Sequence, residues 1–221
     1  MSALLIVGAG GHGKIVADIA RTLGKWDEIA FLDDRYPEAT KVSEWKIIGK
    51  ISEAKNKLNQ FPEAVVAIGA NSLRLEVLKR LLLEGFQFPV LVHPHAVVSQ
   101  TARLGLGTVV CVQSAVDIDT DIGMGAIINA GATIAHDCRL GAGVHVSPGS
   151  RVSGGVTVGE CTWIGSGAIV RETISIGRGV VVGAGSVVIR DVPDLVTVVG
   201  VPSRIIKRPK KEDTTSRGEY N

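Results

Sequence analysis

The 221-residue chain is poor in aromatic residues, in cysteine and in clustered charge. Phe, Trp and Tyr make up only 4% of it, so any core must be filled by Val, Ile, Leu and Ala. Its three cysteines form no CxxC motif, no signal peptide or long apolar run is evident, and the net charge is only +2. These absences argue against a disulfide scaffold, a membrane-spanning segment and a nucleic-acid-binding surface, and they predict a reduced, cytoplasmic protein.

The first 89 residues alternate between short apolar runs and helix-like segments. The stretches "ALLIVGAG", "EIAFLDD" and "EAVVAIGA" are predicted to be buried parallel strands. The stretch "HGKIVADIARTLG" is predicted to be a helix ended by Gly24, and "SLRLEVLKRLLLEG" a helix capped by Ser72 and stopped by Gly85. This pattern indicates an α/β, Rossmann-like domain over residues 1–89.

Beyond this domain the period of the sequence changes. From Val98 to Val188 a Leu, Ile or Val recurs every six residues without interruption, and a glycine follows every third one, at Gly105, Gly123, Gly141, Gly159 and Gly177. Hexapeptide periodicity is typical of a parallel β-helix, and the spacing of eighteen indicates a triangular coil of three short strands. We therefore predict a β-helix over residues 90–192 and a C-terminal segment over 193–221, whose tail after Arg208 has a disordered composition.

The stretch "VGAGGHGK" follows the first strand and opens the first helix. Gly8, Gly10 and Gly13 have G-x-G-x-x-G spacing, and Asp33 follows twenty residues after Gly13, which is the pattern of a dinucleotide site. Because fewer than ninety residues supply only one mononucleotide half, a nucleotide diphosphate fits better than NAD. A tight turn without a ligand is the alternative. The predicted substrate contacts are Gly10, Gly11, His12 and Gly13 for the diphosphate, and Asp33 and Asp34 for the nucleoside.

Two of the five histidines, His136 and His145, lie on the body of the predicted β-helix. His136 and Asp137 fall on the outside of the coil, and Gly154 lies one coil above His136, where it leaves a notch beside the imidazole. Histidine can accept a proton near neutral pH, and a carboxylate on its other nitrogen fixes the tautomer and raises the basicity. We therefore predict that His136 is a general base with Asp137 as its partner. A pair of solvated surface residues is the alternative.

The repeats run without an inserted loop, so one prism offers no deep pocket of its own. The missing wall must then come from another subunit, which predicts an oligomer. Since no cysteine pairs with a histidine as an activated nucleophile, direct transfer in a ternary complex is expected, and Cys138 is interpreted as a small corner residue.

A "GAGGHGK" α/β domain fused to a hexapeptide β-helix that carries an "HD" pair and ends in "GVPSRII" resembles the PglD/NeuD-type sugar acetyltransferases of bacterial glycan biosynthesis. The resemblance implies left-handed coiling, a homotrimer with active sites between subunits, acetyl-CoA as co-substrate, and neither a metal nor a permanent cofactor. The reaction it implies is transfer of an acetyl group to the 4-amino group of a UDP-4-amino-4,6-dideoxy sugar, as in a UDP-N,N'-diacetylbacillosamine-type pathway.

The resemblance also assigns roles to single residues. It makes His136 the base, Asp137 its partner and Asn129 the active-site asparagine that contacts substrate. In the terminal motif Ser203 and Arg204 replace the usual Ala and Lys, and Arg204 keeps a charge that could face a phosphate. The acetyl-CoA contacts that follow by analogy are His145, Gly154, Ser166, Gly167, Ala184 and Arg204.

Three other functions remain open from the sequence. O-acetylation of a sialic-acid-like sugar would use the same scaffold. A γ-type carbonic anhydrase would need three zinc-binding histidines between subunits, whereas His93 and His95 stand only at the start of the prism. A non-enzymatic nucleotide-sugar sensor would leave the terminal motif unexplained. Solvated side chains are expected at Asp117, Asp119 and Asp121, rather than a metal site.

Overall fold

The computed structural model describes residues 2–207, which begin with a small α/β domain. Its elements are, in chain order, β1 (Ala3–Val7), α1 (Gly11–Leu23), β2 (Glu28–Leu32), β3 (Lys41–Val42), β4 (Trp45–Lys46), a 3-10 helix (Ile51–Lys57), β5 (Glu63–Val66) and α2 (Asn71–Leu83). Strands β2, β1 and β5 form a parallel sheet in that order. The three strands and two helices predicted from the sequence are therefore confirmed.

The ends of the two helices follow the sequence signals unequally. Helix α1 ends as predicted, because Gly24 adopts the left-handed conformation (φ 62°) and its N–H donates to the carbonyl of Arg21. Helix α2 begins one residue earlier than predicted, with Ala70 as its N-cap and no side-chain capping bond. The cap predicted at Ser72 is therefore wrong, because Ser72 already lies inside the first turn.

The hairpin of β3 and β4 and the 3-10 helix were not predicted. Strands β3 and β4 pair antiparallel over only two residues each, with Val42 opposite Trp45, and Ser43 takes a left-handed conformation (φ 50°) in the turn. Strands this short contain too few residues for an alternating pattern to be visible in the sequence.

The second domain is a triangular β-helix built mainly of two-residue strands. They are β6 (Leu91–Val92), β7 (Val97–Val98), β8 (Arg103–Leu104), β9 (Val109–Val110), β10 (Ala115–Val116), β11 (Asp121–Ile122), β12 (Ile127–Ile128), β13 (Thr133–Ile134), β14 (Arg139–Leu140), β15 (His145–Val146), β16 (Arg151–Val152), β17 (Thr157–Val158), β18 (Trp163–Ile164), β19 (Ile169–Val170), β20 (Ser175–Ile176), β21 (Val181–Val182), β22 (Val187–Val188), β23 (Thr197–Val199) and β24 (Arg204–Lys207).

Each strand from β6 to β19 pairs in parallel with a strand eighteen residues further on, which divides the coil into three faces. The first face runs from β6 through β9, β12, β15, β18 and β21 to β23, with β24 antiparallel at its end. The second face runs from β7 to β22, and the third from β8 to β20. The predicted β-helix with three short strands per coil is confirmed.

Four-residue turns join the faces and form three edges of the prism. The Asn129 edge joins the first face to the second and includes residues 129–132, 147–150, 165–168 and 183–186. The His136 edge joins the second face to the third and includes residues 117–120, 135–138 and 153–156. The glycine edge joins the third face to the first and includes residues 105–108, 123–126, 141–144 and 159–162.

The core of the prism is the predicted column of aliphatic residues. The inward residues at six-residue intervals from Val110 to Val188 are all buried, whereas Val98 and Leu104 of the first coil are only partly buried. Small hydroxyl residues lie two positions before many of these core residues, and each donates to a carbonyl fifteen residues later. They are Thr108, Ser114, Thr120, Ser150 and Thr162. These bonds satisfy buried hydroxyls and link successive coils.

The repeated glycines are required by the close stacking of the coils. A Cβ at Gly105 would lie 2.4 Å from the backbone nitrogen of Met124, and one at Gly141 would lie 2.7 Å from that of Glu160. Since backbone cannot yield as a flexible side chain can, any other residue would push these coils apart.

The two domains share a core. The buried side of α1, including Val16 and Ile19, packs with Leu91, Val109 and Cys111 of the first coils. Within residues 2–207 no helix combines the length and the apolar character that are needed to cross a membrane. The tail predicted to be disordered after Arg208 lies outside the described residues.

Candidate active site

His136 and Asp137 form a hydrogen-bonded pair on the His136 edge. The Nδ1 atom of His136 lies 2.8 Å from Oδ2 of Asp137, and both side chains are exposed, by 61% and 67%. Asp137 has a left-handed backbone (φ 58°), a conformation that Asp and Asn tolerate better than most residues. The carboxylate accepts from Nδ1–H, which leaves the Nε2 lone pair free to take a proton.

The glycine predicted to leave a notch beside this imidazole does so. A Cβ built at Gly154 would lie 2.7 Å from both Nε2 and Cε1 of His136. Ile118, one coil below, is 52% exposed. The imidazole therefore lies against bare backbone on one side.

A second group of polar residues gathers where the Asn129 edge meets the first face. The Nδ2 atom of Asn129 lies 3.3 Å from Nε2 of His145, while Oδ1 of Asn129 accepts from the N–H of Ala130 at 2.8 Å. Because this second bond fixes Nδ2 as the donor, Nε2 of His145 is an acceptor and its proton is on Nδ1. The ring of His145 stacks on Trp163 with centroids 6.0 Å apart.

His12 of the glycine-rich turn belongs to the same region. Its Nε2 atom is buried and has no hydrogen-bond partner among the described residues. Burial, together with nearby His145 and Arg74, lowers the pKa of His12 to about 3. Burial and Arg74 also lower the pKa of His145 to about 4. Both imidazoles are therefore neutral at neutral pH.

The chain places its candidate site residues on two separate edges. Asn129 lies on one edge, with His145 on the adjoining first face, while His136 and Gly154 lie on the other edge, across the second face. Ser166, Gly167 and Ala184 are exposed and stack above Asn129 on its edge. A single copy therefore does not bring its own His136 to its own His145.

The predicted nucleotide site is an open cavity of about 380 Å³ at the start of α1. Gly10 and Gly11 border it with no heavy atom within 4 Å of a Cβ built at either, and Lys14, Arg35 and Lys41 surround it. Sequence reasoning missed these three cations as site residues, although Lys14 lies within the glycine motif itself. Gly13 faces the strand instead, where a Cβ would lie 2.1 Å from the carbonyl oxygen of Gly8.

Both predicted nucleoside-binding acids already have protein partners. Asp33 accepts from the N–H of Ala9 at 2.8 Å and pairs with Arg35 at 2.7 Å, and the hydrogen bonds from Arg35 are the main reason that its pKa falls to about 2. Asp34 accepts from the N–H of Ile51 at 3.1 Å, at the start of the 3-10 helix.

The end of the β-helix carries a smaller cavity of about 320 Å³. Arg190, Asp191, Ser203 and Arg204 are among the residues that line it. Arg204 is exposed and donates to the carbonyl of Ser203. Two guanidinium groups thus border this cavity, where the sequence predicted one.

Cysteine and acidic residues take structural places. Cys111, Cys138 and Cys161 are free thiols, and Cys138 is a buried corner residue whose Sγ donates to the carbonyl of Ser153. Asp121 pairs with Arg103. Within residues 2–207 no group of three or more His, Cys, Asp or Glu side chains is arranged to hold a metal ion.

Comparison with known proteins identifies both domains. The family model described as PglD N-terminal domain matches residues 3–81, and the model of the bacterial transferase hexapeptide (six repeats) matches residues 119–154. A curated relative, UDP-N-acetylbacillosamine N-acetyltransferase of Bacillus subtilis (strain 168), is 38% identical over 112 residues. That alignment covers 50% of this chain and about half of the relative, 51%.

Solved structures match over almost the whole chain. The acetyltransferase domain of PglB from Neisseria gonorrhoeae FA1090 has a TM-score of 0.90 and 41% identity, with 93% of this chain and 100% of that chain covered. The same domain is also known in complex with acetyl coenzyme A. PerB from Caulobacter crescentus, in complex with CoA and GDP-perosamine, has a TM-score of 0.88 and 39% identity, with 93% and 97% covered.

The fold, its left-handed β-helix and these matches define an acyltransferase of the hexapeptide-repeat class. Within that class, the chain belongs to the PglD-type family, as its sequence motifs predicted.

Proposed function

We propose that this protein transfers the acetyl group of acetyl-CoA to the 4-amino group of a UDP-4-amino-4,6-dideoxy sugar, with His136 as the general base. The observation that carries the proposal is the open pair of His136 and Asp137 beside the bare backbone of Gly154. The names of the relatives support the chemistry, since one is a UDP-N-acetylbacillosamine N-acetyltransferase and another was solved with CoA and GDP-perosamine.

The proposed reaction is a direct acyl transfer. The amine nitrogen attacks the thioester carbonyl carbon, and His136 Nε2 takes a proton from that nitrogen. As the tetrahedral intermediate collapses, the C–S bond breaks and the sulfur leaves with the electron pair, to be protonated by the imidazolium. Asp137 orients the imidazole and stabilises its charged form.

The cavity at the start of α1 fits the diphosphate of the sugar nucleotide. Backbone N–H groups at a helix N-terminus favour an anion, and Lys14, Arg35 and Lys41 supply positive charge around it. Asp33 and Asp34 each keep lone pairs beyond the contacts described above, so they can still accept from a nucleoside. The unpartnered Nε2 of His12 would gain a hydrogen bond from the substrate.

We further propose that the working unit is a homotrimer with active sites between subunits. If acetyl-CoA lies along the Asn129 edge, against His145, Ser166, Gly167 and Ala184, it reaches His136 only where the His136 edge of a neighbouring copy faces it. Cyclic symmetry with three copies repeats this contact at each interface. Arg204 and the adjacent Arg190 suit a phosphate group of the coenzyme.

We also propose a cytoplasmic location. Acetyl-CoA and nucleotide sugars are cytoplasmic metabolites, and the three thiols are unpaired.

The first test is release of CoA thiol from acetyl-CoA with either a UDP-4-amino-4,6-dideoxy sugar or GDP-perosamine as acceptor. His136→Ala should lower turnover by about 100-fold or more while still binding acetyl-CoA. Transfer by the wild type to the uridine sugar supports the full proposal. Preference for GDP-perosamine would overturn the choice of nucleotide, and transfer to neither amine would overturn the reaction.

A mixing experiment tests the shared site. His136→Ala and Asn129→Ala, each inactive alone, are mixed and refolded together. If each site combines His136 of one copy with Asn129 of the next, random assembly restores about a quarter of the sites. No recovery would mean that both residues act from the same copy.

A further inference from the structure

Arg74 is a buried cation that holds the two domains together. It lies in the first turn of α2, is only 1% exposed, and its guanidinium donates to five oxygen atoms. The acceptors are the carbonyls of Gly125 (2.8 Å), Gly143 (2.7 Å), Ile68 (2.9 Å) and Gly69 (3.3 Å), and Oδ1 of Asn71 (2.9 Å). Among the described residues none of its hydrogen-bond acceptors is a carboxylate, so carbonyl and amide dipoles alone compensate the charge.

Asn71 extends this contact to a third coil. Its Nδ2 atom donates to the carbonyls of Cys161 (3.1 Å) and Thr162 (3.2 Å). Gly125, Gly143 and Cys161 are eighteen residues apart on the glycine edge, and all three have positive φ, at 64°, 65° and 57°. One turn of α2 therefore binds the equivalent carbonyl in three successive coils. We call Asn71 and Arg74 the α2 clamp.

The α2 clamp is attached to the part of the first domain that carries the nucleotide cavity. Ile68 and Gly69 directly follow β5, and the N–H of Ala67 donates to the carbonyl of Val7 at 2.8 Å. Gly8 follows Val7 and begins the glycine-rich turn, so the bonds from Arg74 to residues 68 and 69 hold the neighbour of that turn. Its far side contacts the β-helix in the coils on which Asn129 and His145 lie.

We propose that Asn71 and Arg74 are positioning residues for acetyl transfer, because they fix the height of the sugar-binding domain along the acetyl-CoA-binding prism. The inference rests on the proposed function. Neighbouring coils are about 4.8 Å apart, so even a fraction of one coil step would separate an amine from a thioester by more than a reaction tolerates.

The guanidinium group is well suited to this role, and a lysine is not. Nε and Nη2 of Arg74 bond to carbonyls of two different coils, while Nη1 bonds to the end of β5. The ammonium group of a lysine has all its donors on one nitrogen and cannot span neighbouring coils. Arg74→Lys therefore keeps the charge and removes the bridge.

The test compares Arg74→Lys and Asn71→Ala with Lys79→Ala. Lys79 is on the same helix and also crosses to the second domain, through an exposed ion pair with Glu160 at 3.5 Å. Such surface pairs contribute little. For each variant the separate affinities for acetyl-CoA and for the sugar nucleotide are measured, then kcat with both saturating, well below the unfolding temperature.

We expect both clamp variants to bind each ligand alone within about twofold of wild type and to lose about tenfold or more in kcat. Lys79→Ala should behave as wild type. A lowered melting temperature with unchanged kcat would overturn the positioning role and leave only a structural one. Asn71→Ala, which removes fewer bonds, keeps the test decisive if Arg74→Lys does not fold.

A second readout is independent of turnover. Loosening of the clamp should increase amide hydrogen exchange at Val109 and Cys111, which α1 covers. If wild type transfers no acetyl group, the proposed function fails, while unchanged exchange in both clamp variants would still overturn the clamp by itself.

Discussion

The imidazole of His136 occupies the space that a side chain at position 154 would need, with a Cβ there only 2.7 Å from its Nε2. The acid–base group of the proposed site is therefore held by a hydrogen bond on one side and by an absent side chain on the other.

Gly154→Ala should disable the base without unfolding the chain. Since Gly154 does not have a positive φ, alanine is not strained there, and the atom that must move belongs to a flexible side chain. Displacing the imidazole by about 1 Å should cost up to about 100-fold in kcat, with an unchanged melting temperature. Ser153→Ala in the same turn is the control and should keep full activity. Equal activity in both variants would refute this role for the notch.

Asp137→Asn and Asp137→Ala should differ in stability as well as in rate. Asparagine tolerates the left-handed backbone at this position (φ 58°), whereas alanine is strained in it. We expect Asp137→Asn to melt like wild type and Asp137→Ala to melt lower. Both should transfer acetyl groups slowly, though faster than His136→Ala, because the base itself remains. A rate equal to wild type for Asp137→Asn would mean that the carboxylate charge is not needed.

Stability should fall as the pH is lowered from about 6.5 to about 4. His145 has its pKa lowered from 6.5 to about 4 in the folded protein, and that of His12 falls to about 3. Unfolded chains take up these protons first, so the contribution is complete above pH 6.5 and is lost through this window. Urea unfolding at about pH 7 and about pH 4.5 measures it. His145→Gln should lose less stability than wild type, and exposed His95→Gln should lose as much.

Thr162→Val should destabilise the prism although the shape is kept. The hydroxyl of Thr162 donates to the carbonyl of Gly177 at 2.6 Å and accepts from the N–H of Val180 at 3.0 Å. Valine leaves both groups without this partner in a buried place, at a cost of about 1–3 kcal/mol in unfolding free energy. Thr157→Val on the exposed face is the control for the same substitution, and a similar loss there would contradict the explanation.

The β-helix could be predicted residue by residue because its signal is local and repeated. The position of each inward residue, such as Val146 or Ile164, depends only on the six-residue count. The notch at Gly154 followed from the same count, by adding eighteen to His136.

What the sequence did not reveal depends on contacts between distant segments. Arg74 on α2 gives no local sign that it binds carbonyls 51 and 69 residues later. Likewise, the spacing of Asp33 fits a ribose contact, but its neighbour Arg35 could be seen to pair with it only once the chain was folded. The cap assigned to Ser72 failed because the entry into α2 is set by the path from β5.

The eighteen-residue register also limits how this protein can change its length during evolution. Insertion or deletion of a whole coil keeps every side chain on its own face, so it alters only the distance along the prism. A change of six residues between His136 and His145 would also keep all later core residues inward, yet it would rotate every outward side chain beyond it to the next face. Such a variant would fold with its two halves of the site facing different neighbours, and natural length variants that remain active should therefore differ by multiples of eighteen.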